Sequence, residues 1–124
     1  MEVTEIRKQL KEELRNLDKE ILYILNQSDV SKEQIRCLIA DIDRCYILLD
    51  RFEELCKDLS YYFTLRKGLC SSLTQLTIAL EAYDAGAVDL LSLRSSTENS
   101  NVKNHIVKAV EKLEETLIET QNSS

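Results

Sequence analysis

Apolar residues recur at intervals of three and four along most of the chain, a spacing typical of amphipathic α-helices. The longest uninterrupted pattern covers residues 31–67. Two neighbouring lines with seven-residue spacing run through it and form a seam of the coiled-coil type: Ile35, Leu38, Ile42, Cys45, Leu49, Phe52, Cys56, Leu59 and Phe63. Further apolar residues widen the seam, so more than one partner is needed to cover it. The pattern therefore predicts one long central helix, from about 31 to 67.

Three further helices are predicted from the same periodicity. They cover about residues 3–26, a segment that begins near Ser72, and about residues 102–119. Short connections make consecutive helices antiparallel. We therefore expect an all-α fold, an elongated antiparallel four-helix bundle with coiled-coil-like packing.

The predicted helix ends rest on local signals. Ser31 followed by Gln34 matches a capping box, in which each side chain satisfies a backbone amide of the first turn, and Ser72 followed by Gln75 repeats the pattern. Gly68 suits a helix stop, because glycine adopts the left-handed conformation without steric cost. We therefore expect the long helix to begin at Ser31 and to stop at Gly68, although Gly68 could also lie inside a continuous helix.

The composition supports one helical domain, residues 1–124. The chain has no proline and only two glycines, too few turn formers for a sheet protein. Gly86 lies among alanines, which suits either close packing of the third helix or a break in it. Residues 95–101 contain no apolar side chain, so we expect a mobile loop there. We expect residues 121–124 to fray.

The charge pattern argues against direct nucleic-acid binding. The formal net charge is -6, whereas binding to phosphate backbones depends on clustered cations. A weak basic strip is nevertheless conceivable along the long helix: Arg36, Arg44, Arg51, Arg66 and Lys67. Acidic residues are interleaved with it, so a mixed solvated face is the simpler interpretation.

The four cysteines do not predict a metal site. Cys37, Cys45, Cys56 and Cys70 contain no Cys-x-x-Cys pair, and the chain has a single histidine. We expect Cys45 and Cys56 to be buried thiols and no cofactor to be bound. The chain has no apolar run long enough for a membrane span and no lipidation motif, so we expect no membrane association and a reducing cytoplasm.

No catalytic constellation stands out. The run from His105 to Ala109 loosely resembles the phosphoaccepting motif of histidine phosphotransfer domains, but alanine replaces the glycine of that motif at Ala109 and the histidine opens the last helix. We therefore expect His105 to be an ordinary exposed residue. Neighbouring carboxylates such as Asp41 and Asp43 point apart on a helix and cannot share a proton. We do not expect an enzyme.

Aromatic and apolar residues at the far end of the long helix predict an interface: Leu55, Leu59, Tyr61, Tyr62 and Phe63. Consecutive helical positions diverge, so at least one of the three aromatic rings should be exposed. The long helix also outreaches its neighbours, which suggests a second copy of the chain as its cover. The sequence thus predicts a protein-binding module: an adaptor, assembly subunit or inhibitor, acting as a homodimer.

Two other functions fit the composition. An acidic helical protein could act as a decoy, of phage or mobile-element type, that occupies the basic groove of a nucleic-acid enzyme. Alternatively, the basic strip could contact nucleic acid inside a larger nucleoprotein complex.

Overall fold

The computed structural model describes residues 2–55 and 59–123, and this part of the chain is all-helical. The helical segments are α1 (Glu2–Asn26), α2 (Lys32–Leu55), α3 (Leu59–Arg66), α4 (Leu69–Asp84), α5 (Leu90–Asn99) and α6 (Val102–Ser123). The predicted all-α class is confirmed, as are the first and last helices. Six segments are described where four helices were predicted, so the four-helix count is not confirmed.

The first two helices pack against each other, with the start of α1 beside the end of α2. Arg44 Nε lies 3.4 Å from Glu13 Oε1, and the guanidinium of Arg7 lies 5.9 Å from the ring centre of Phe52. The predicted seams of both helices are buried: Leu10, Leu14, Leu17, Ile21 and Ile24 in α1, and Ile35, Leu38, Ile42, Cys45, Leu49 and Phe52 in α2. Their spacing is the a/d pattern that brings two helices into close contact.

The predicted capping box at the start of α2 is confirmed. The Ser31 amide donates to Gln34 Oε1 at 2.9 Å, and the Gln34 amide donates to Ser31 Oγ at 3.2 Å. Two amides that lack helical acceptors are thereby satisfied.

The prediction of a single long helix is wrong, because α3 and α4 run back along α2. Tyr46 Oη donates to the Cys70 carbonyl at 3.0 Å, and Tyr83 Oη donates to the Val30 carbonyl at 3.2 Å. In a straight helix Tyr46 and Cys70, 24 residues apart, would be separated by about 36 Å. The segments α3 and α4 therefore do not continue the direction of α2. Residues 56–58, and Cys56 with them, lie outside the described residues.

This reversal removes the reason for expecting a second copy of the chain. Self-association was predicted from apolar surface on the long helix that no other helix could reach. The returning segments α3 and α4 lie on α2 themselves, and they bury Tyr62, Leu65 and Leu69. The length mismatch on which the homodimer was predicted is therefore absent.

The stop near Gly68 is found, but the capping box predicted after it is wrong. Lys67 and Gly68 form a turn, Gly68 has a φ of 80°, and α4 begins at Leu69. Ser72 therefore lies inside α4, where it is 3% exposed and caps no helix. Gln75 follows Ser72 at the spacing of a capping box, which explains the prediction. The Ser72 hydroxyl instead donates to the Ser100 carbonyl.

The loop predicted at residues 95–101 is wrong in its secondary structure, since α5 continues to Asn99. Asp89 caps this helix by accepting the Ser92 amide at 2.8 Å, and this hydrogen bond lowers the pKa of the Asp89 carboxyl. Thr97 is buried, and its hydroxyl donates to the Leu93 carbonyl at 2.8 Å. A hydroxyl that is satisfied in this way can enter a core without an orphaned polar group.

The remaining helix ends complete the arrangement. The helix α4 ends at Asp84, and Gly86 has a φ of 76°. Gly86 therefore lies in a break between helices and not in a close-packed stretch of the third helix. The helix α6 packs against α1, α3 and α4 and extends to Ser123, into the segment predicted to fray. Residue 124 lies outside the described residues.

The two glycines allow a direct test of the packing at Gly68. A Cβ at Gly68 would lie 2.6 Å from both Cδ2 and Nε2 of His105, whereas a Cβ at Gly86 would meet no atom within 4 Å. Gly86→Ala should lower the free energy of unfolding by about 1–2 kcal/mol, the cost of a left-handed alanine. Gly68→Ala should cost roughly 1–3 kcal/mol more, because the imidazole must move. Urea unfolding measures both.

The double variant Gly68→Ala/His105→Ala separates the two costs. It removes the clash and keeps the backbone strain. In the His105→Ala background, Gly68→Ala should therefore lower the free energy of unfolding by about as much as Gly86→Ala does in the wild type. Equal losses for the two single glycine variants would contradict the close packing.

Candidate interaction surface and polar clusters

The predicted interface residues divide into buried and exposed ones. Tyr62 is 1% exposed and belongs to the core, whereas Phe63 is 62% exposed. Leu55 is half-buried, and the side chains of Leu59 and Tyr61 lie outside the described residues. The expectation that at least one aromatic ring is exposed is confirmed by Phe63. The interface itself stays a prediction.

Phe63 lies on the helix α3, and its ring contacts the ring of Tyr62. Its ring lies edge-on against that of Tyr62, with centroids 5.9 Å apart and planes inclined by 63°. The favourable edge-to-face geometry restricts the exposed ring. Phe63 therefore presents an exposed apolar ring whose orientation is restricted by its contact with Tyr62.

Arg66 places a positive charge beside the ring of Tyr62. Its guanidinium donates to Tyr62 Oη and lies 5.5 Å from the Tyr62 ring centre. The Nη1 atom is also 3.7 Å from Glu53 Oε2 and 3.9 Å from Asp50 Oδ1. Burial raises the pKa of Tyr62, although its hydrogen bond with Arg66 opposes this shift. Both carboxylates are substantially exposed beside Arg66. Arg66 follows Phe63 by three residues on α3, and the exposed ring of Phe63 is called the Phe63 surface below.

The predicted basic strip includes cations that are paired with carboxylates in the structure. Arg66 and Lys67 lie at the end of α3, which runs opposite to α2, and Arg66 faces carboxylates of α2. Arg44 is paired with Asp41 and Glu13. Arg36 and Arg51 are exposed. Because two of the five cations face carboxylates, the observed geometry does not favour a nucleic-acid surface.

A carboxylate cluster lies between α1 and α2 around Arg44. Glu13, Glu20 and Asp41 line one groove with it. Burial raises the pKa of Glu20, and the Glu13 carboxylate raises it further, while Arg44 lowers it. Next to this cluster, burial raises the pKa of the Cys45 thiol to about 12. Cys45 is fully buried as predicted, and its thiol stays protonated at neutral pH.

Ser72 and His105 form a second polar cluster, which the sequence did not indicate. Ser72 Oγ donates to the Ser100 carbonyl at 2.8 Å and lies 2.5 Å from His105 Nδ1. His105 is half-buried with its ring against Gly68, so it is not the ordinary exposed histidine that was expected. The cluster joins α4, α6 and the turn before α6. No short motif marks it, because its members come from separate segments.

The hydrogen bonds assign the proton in this cluster. Because the hydroxyl proton of Ser72 goes to the Ser100 carbonyl, the Nδ1–H tautomer of His105 is the one that completes the pair. With this tautomer each of the three groups has a hydrogen-bond partner.

Comparison with known proteins does not identify the chain: no family model, no curated protein and no solved structure matches it. Among the described residues, no helix is long and apolar enough to cross a membrane. In the same part of the chain, no group of three or more histidine, cysteine, aspartate or glutamate side chains could hold a metal ion.

Adjacent serines test the role of the Ser72 hydroxyl. Ser72→Ala leaves the Ser100 carbonyl and His105 Nδ1 without their partner and should lower the free energy of unfolding by about 1–3 kcal/mol. Ser71 is exposed on the same helix, and Ser71→Ala should change stability by no more than about 0.5 kcal/mol. Both substitutions bring the same gain in helix propensity. Equal effects in urea unfolding would refute the proposed role.

Glu20 predicts a pH-dependent stability. Its pKa in the folded state lies above its ordinary value of 4.5, so the folded state binds more protons in that range and this group destabilises the fold as pH rises. Glu20→Gln should therefore raise the free energy of unfolding at pH 7, and the gain should disappear below pH 4.5. Glu12→Gln, at an exposed position of α1, is the control. A gain that is the same at both pH values would contradict the prediction.

Proposed function

We propose that this protein is a non-enzymatic, protein-binding helical module whose main contact is centred on Phe63. The observation that carries the proposal is the exposed ring of Phe63, fixed against the buried ring of Tyr62. Aromatic anchors of this kind dominate the binding energy of many protein interfaces. Adaptor, assembly subunit and inhibitor are all compatible with this mode of action.

The charges beside Phe63 favour a basic partner. Arg66 lies one helical turn beyond Phe63 and faces Asp50 and Glu53, whose side chains are 67% and 47% exposed. A partner surface with an apolar pocket and a basic rim would complement this arrangement. In an isologous dimer the same carboxylates would approach each other, which costs free energy. We therefore propose a different protein as the partner, and self-association as the alternative outcome.

The arrangement of the helices supports an antiparallel bundle as the scaffold. The segments α1, α2 and α3–α4 alternate in direction, and α6 contacts α1, α3 and α4. We propose that these four lines of helix form the predicted bundle, with α5 as an additional segment on α4. Such a scaffold would hold α3 in a fixed position.

Replacing one exposed apolar residue tests this function. Phe63→Ala should abolish capture of the partner in affinity purification followed by quantitative mass spectrometry. Leu91→Ala is the matched control, because Leu91 is 74% exposed but lies on α5. Both variants should remain folded, since truncation of an exposed side chain typically changes stability by less than about 0.5 kcal/mol.

The partner's chemistry and the alternative outcome are tested on the same samples. Capture should persist in Leu91→Ala. It should weaken in Asp50→Asn/Glu53→Gln, because this variant removes the two carboxylates that would attract a basic partner. Capture that is the same for all variants would overturn the proposal. Sedimentation velocity distinguishes the alternative: a wild-type dimer that becomes monomeric in Phe63→Ala would identify a second copy as the partner.

A further inference from the structure

A groove between α3 and α6 is lined by lysines above a floor of packed side chains. Its volume is about 490 Å³, within the range of small-molecule sites. Residues of both helices and of the turn between α3 and α4 line it: Thr64, Leu65, Lys67, Gly68, His105, Lys108, Ala109, Glu111, Lys112 and Glu115. The Phe63 surface does not contribute to it.

Three lysines converge on this groove although the chain as a whole is acidic. Lys67 lies in the turn that follows α3, and Lys108 and Lys112 lie one turn apart on α6. In the described part of the chain, neither Lys67 nor Lys108 has a carboxylate oxygen within 4.0 Å. Lys112 pairs with Glu115 at 3.3 Å. Two cations of opposite walls are therefore available to a ligand.

The floor of the groove is shaped for close approach. Gly68 carries no side chain, and the imidazole of His105 packs directly against its backbone. Because His105 Nδ1–H is committed to Ser72, Nε2 is the ring nitrogen left to interact with a ligand. The remaining floor residues, Leu65 and Ala109, are buried and apolar.

The same walls limit the size of an anion. Glu111 and Glu115 lie on the α6 wall together with the lysines. An extended polyanion such as nucleic acid would pass close to these carboxylates and be repelled, whereas a compact anion can remain among the lysines. The arrangement thus favours a single anionic group over a charged polymer.

We propose that the groove between α3 and α6 binds the phosphate group of a small phosphorylated molecule, with Lys67 and Lys108 neutralising its charge. Ammonium groups bind phosphate as point charges and form short charge-assisted hydrogen bonds with its oxygens. This site is independent of the Phe63 surface, so either could exist without the other.

Calorimetric titration with pyrophosphate, AMP and adenosine tests the site. The wild-type protein should bind pyrophosphate and AMP, with affinity that falls as salt is added. Similar affinity for the two would identify the phosphate alone as the ligand, and tighter binding of AMP would identify a nucleotide. Adenosine that binds as well as AMP, or the absence of binding by both anions at millimolar concentration, would overturn the proposal.

A matched lysine on α6 serves as the control variant. Lys67→Ala/Lys108→Ala should weaken pyrophosphate binding at least about tenfold, since the loss of one charge-assisted contact already costs about that much. Lys103 is exposed on α6 but does not line the groove, so Lys103→Ala should change the affinity less than about twofold. Equal weakening by both variants would show general electrostatic attraction and refute a defined site.

Discussion

The packing of the His105 imidazole over the backbone of Gly68 is the constraint on which the arrangement of α3, α4 and α6 depends. No side chain fits between them, since a Cβ at Gly68 would lie 2.6 Å from the ring. Gly68 also provides the left-handed residue between α3 and α4, so one position both bends the chain and admits α6. The bond between His105 Nδ1 and Ser72 Oγ then fixes the ring from the other side.

This polar cluster is costly to bury and is therefore fully connected. The carbonyl of Ser100, the hydroxyl of Ser72 and Nδ1 of His105 satisfy one another inside the bundle. The Ser100 hydroxyl donates in turn to the Thr97 carbonyl at 2.8 Å. Leaving any of these groups without a partner would cost free energy, so the cluster favours one relative placement of α4, α5 and α6 over alternatives. Purely apolar contacts between these helices would specify that placement less sharply.

The sequence predicted the parts of the fold that depend on local pattern. The α1–α2 hairpin follows from two heptad seams and the capping box at Ser31, because both signals involve residues within a few positions of each other. The reversal after α2 could not be read in this way: Phe63 continues the heptad in sequence, yet it is exposed. Periodicity reports which residues share a face of a helix, but it does not report where one helix ends and another with the same spacing begins.

The missed helix α5 and the missed polar cluster have a common cause. Composition treats Thr97 and Ser100 as solvent-exposed, because hydroxyls usually are, whereas here each donates to a backbone carbonyl and is buried. The cap at Asp89, followed by Leu90 and Leu93 at helical spacing, was the available signal for α5. For the Ser72–His105 pair no such signal exists, since packing alone brings the two together. The same applies to Lys67 and Lys108.

The short helix α3 connects the two proposed surfaces. With eight residues it is too short to be stable alone, so its position depends on the burial of Tyr62 and Leu65. Phe63 and Lys67 flank these buried residues and point away from the core. Arg66 at the end of α3 faces carboxylates of α2, and Lys67 in the following turn lines the groove with the lysines of α6. Burial of Tyr62 and Leu65 thus fixes the helix that carries Phe63 and leads into the turn with Lys67.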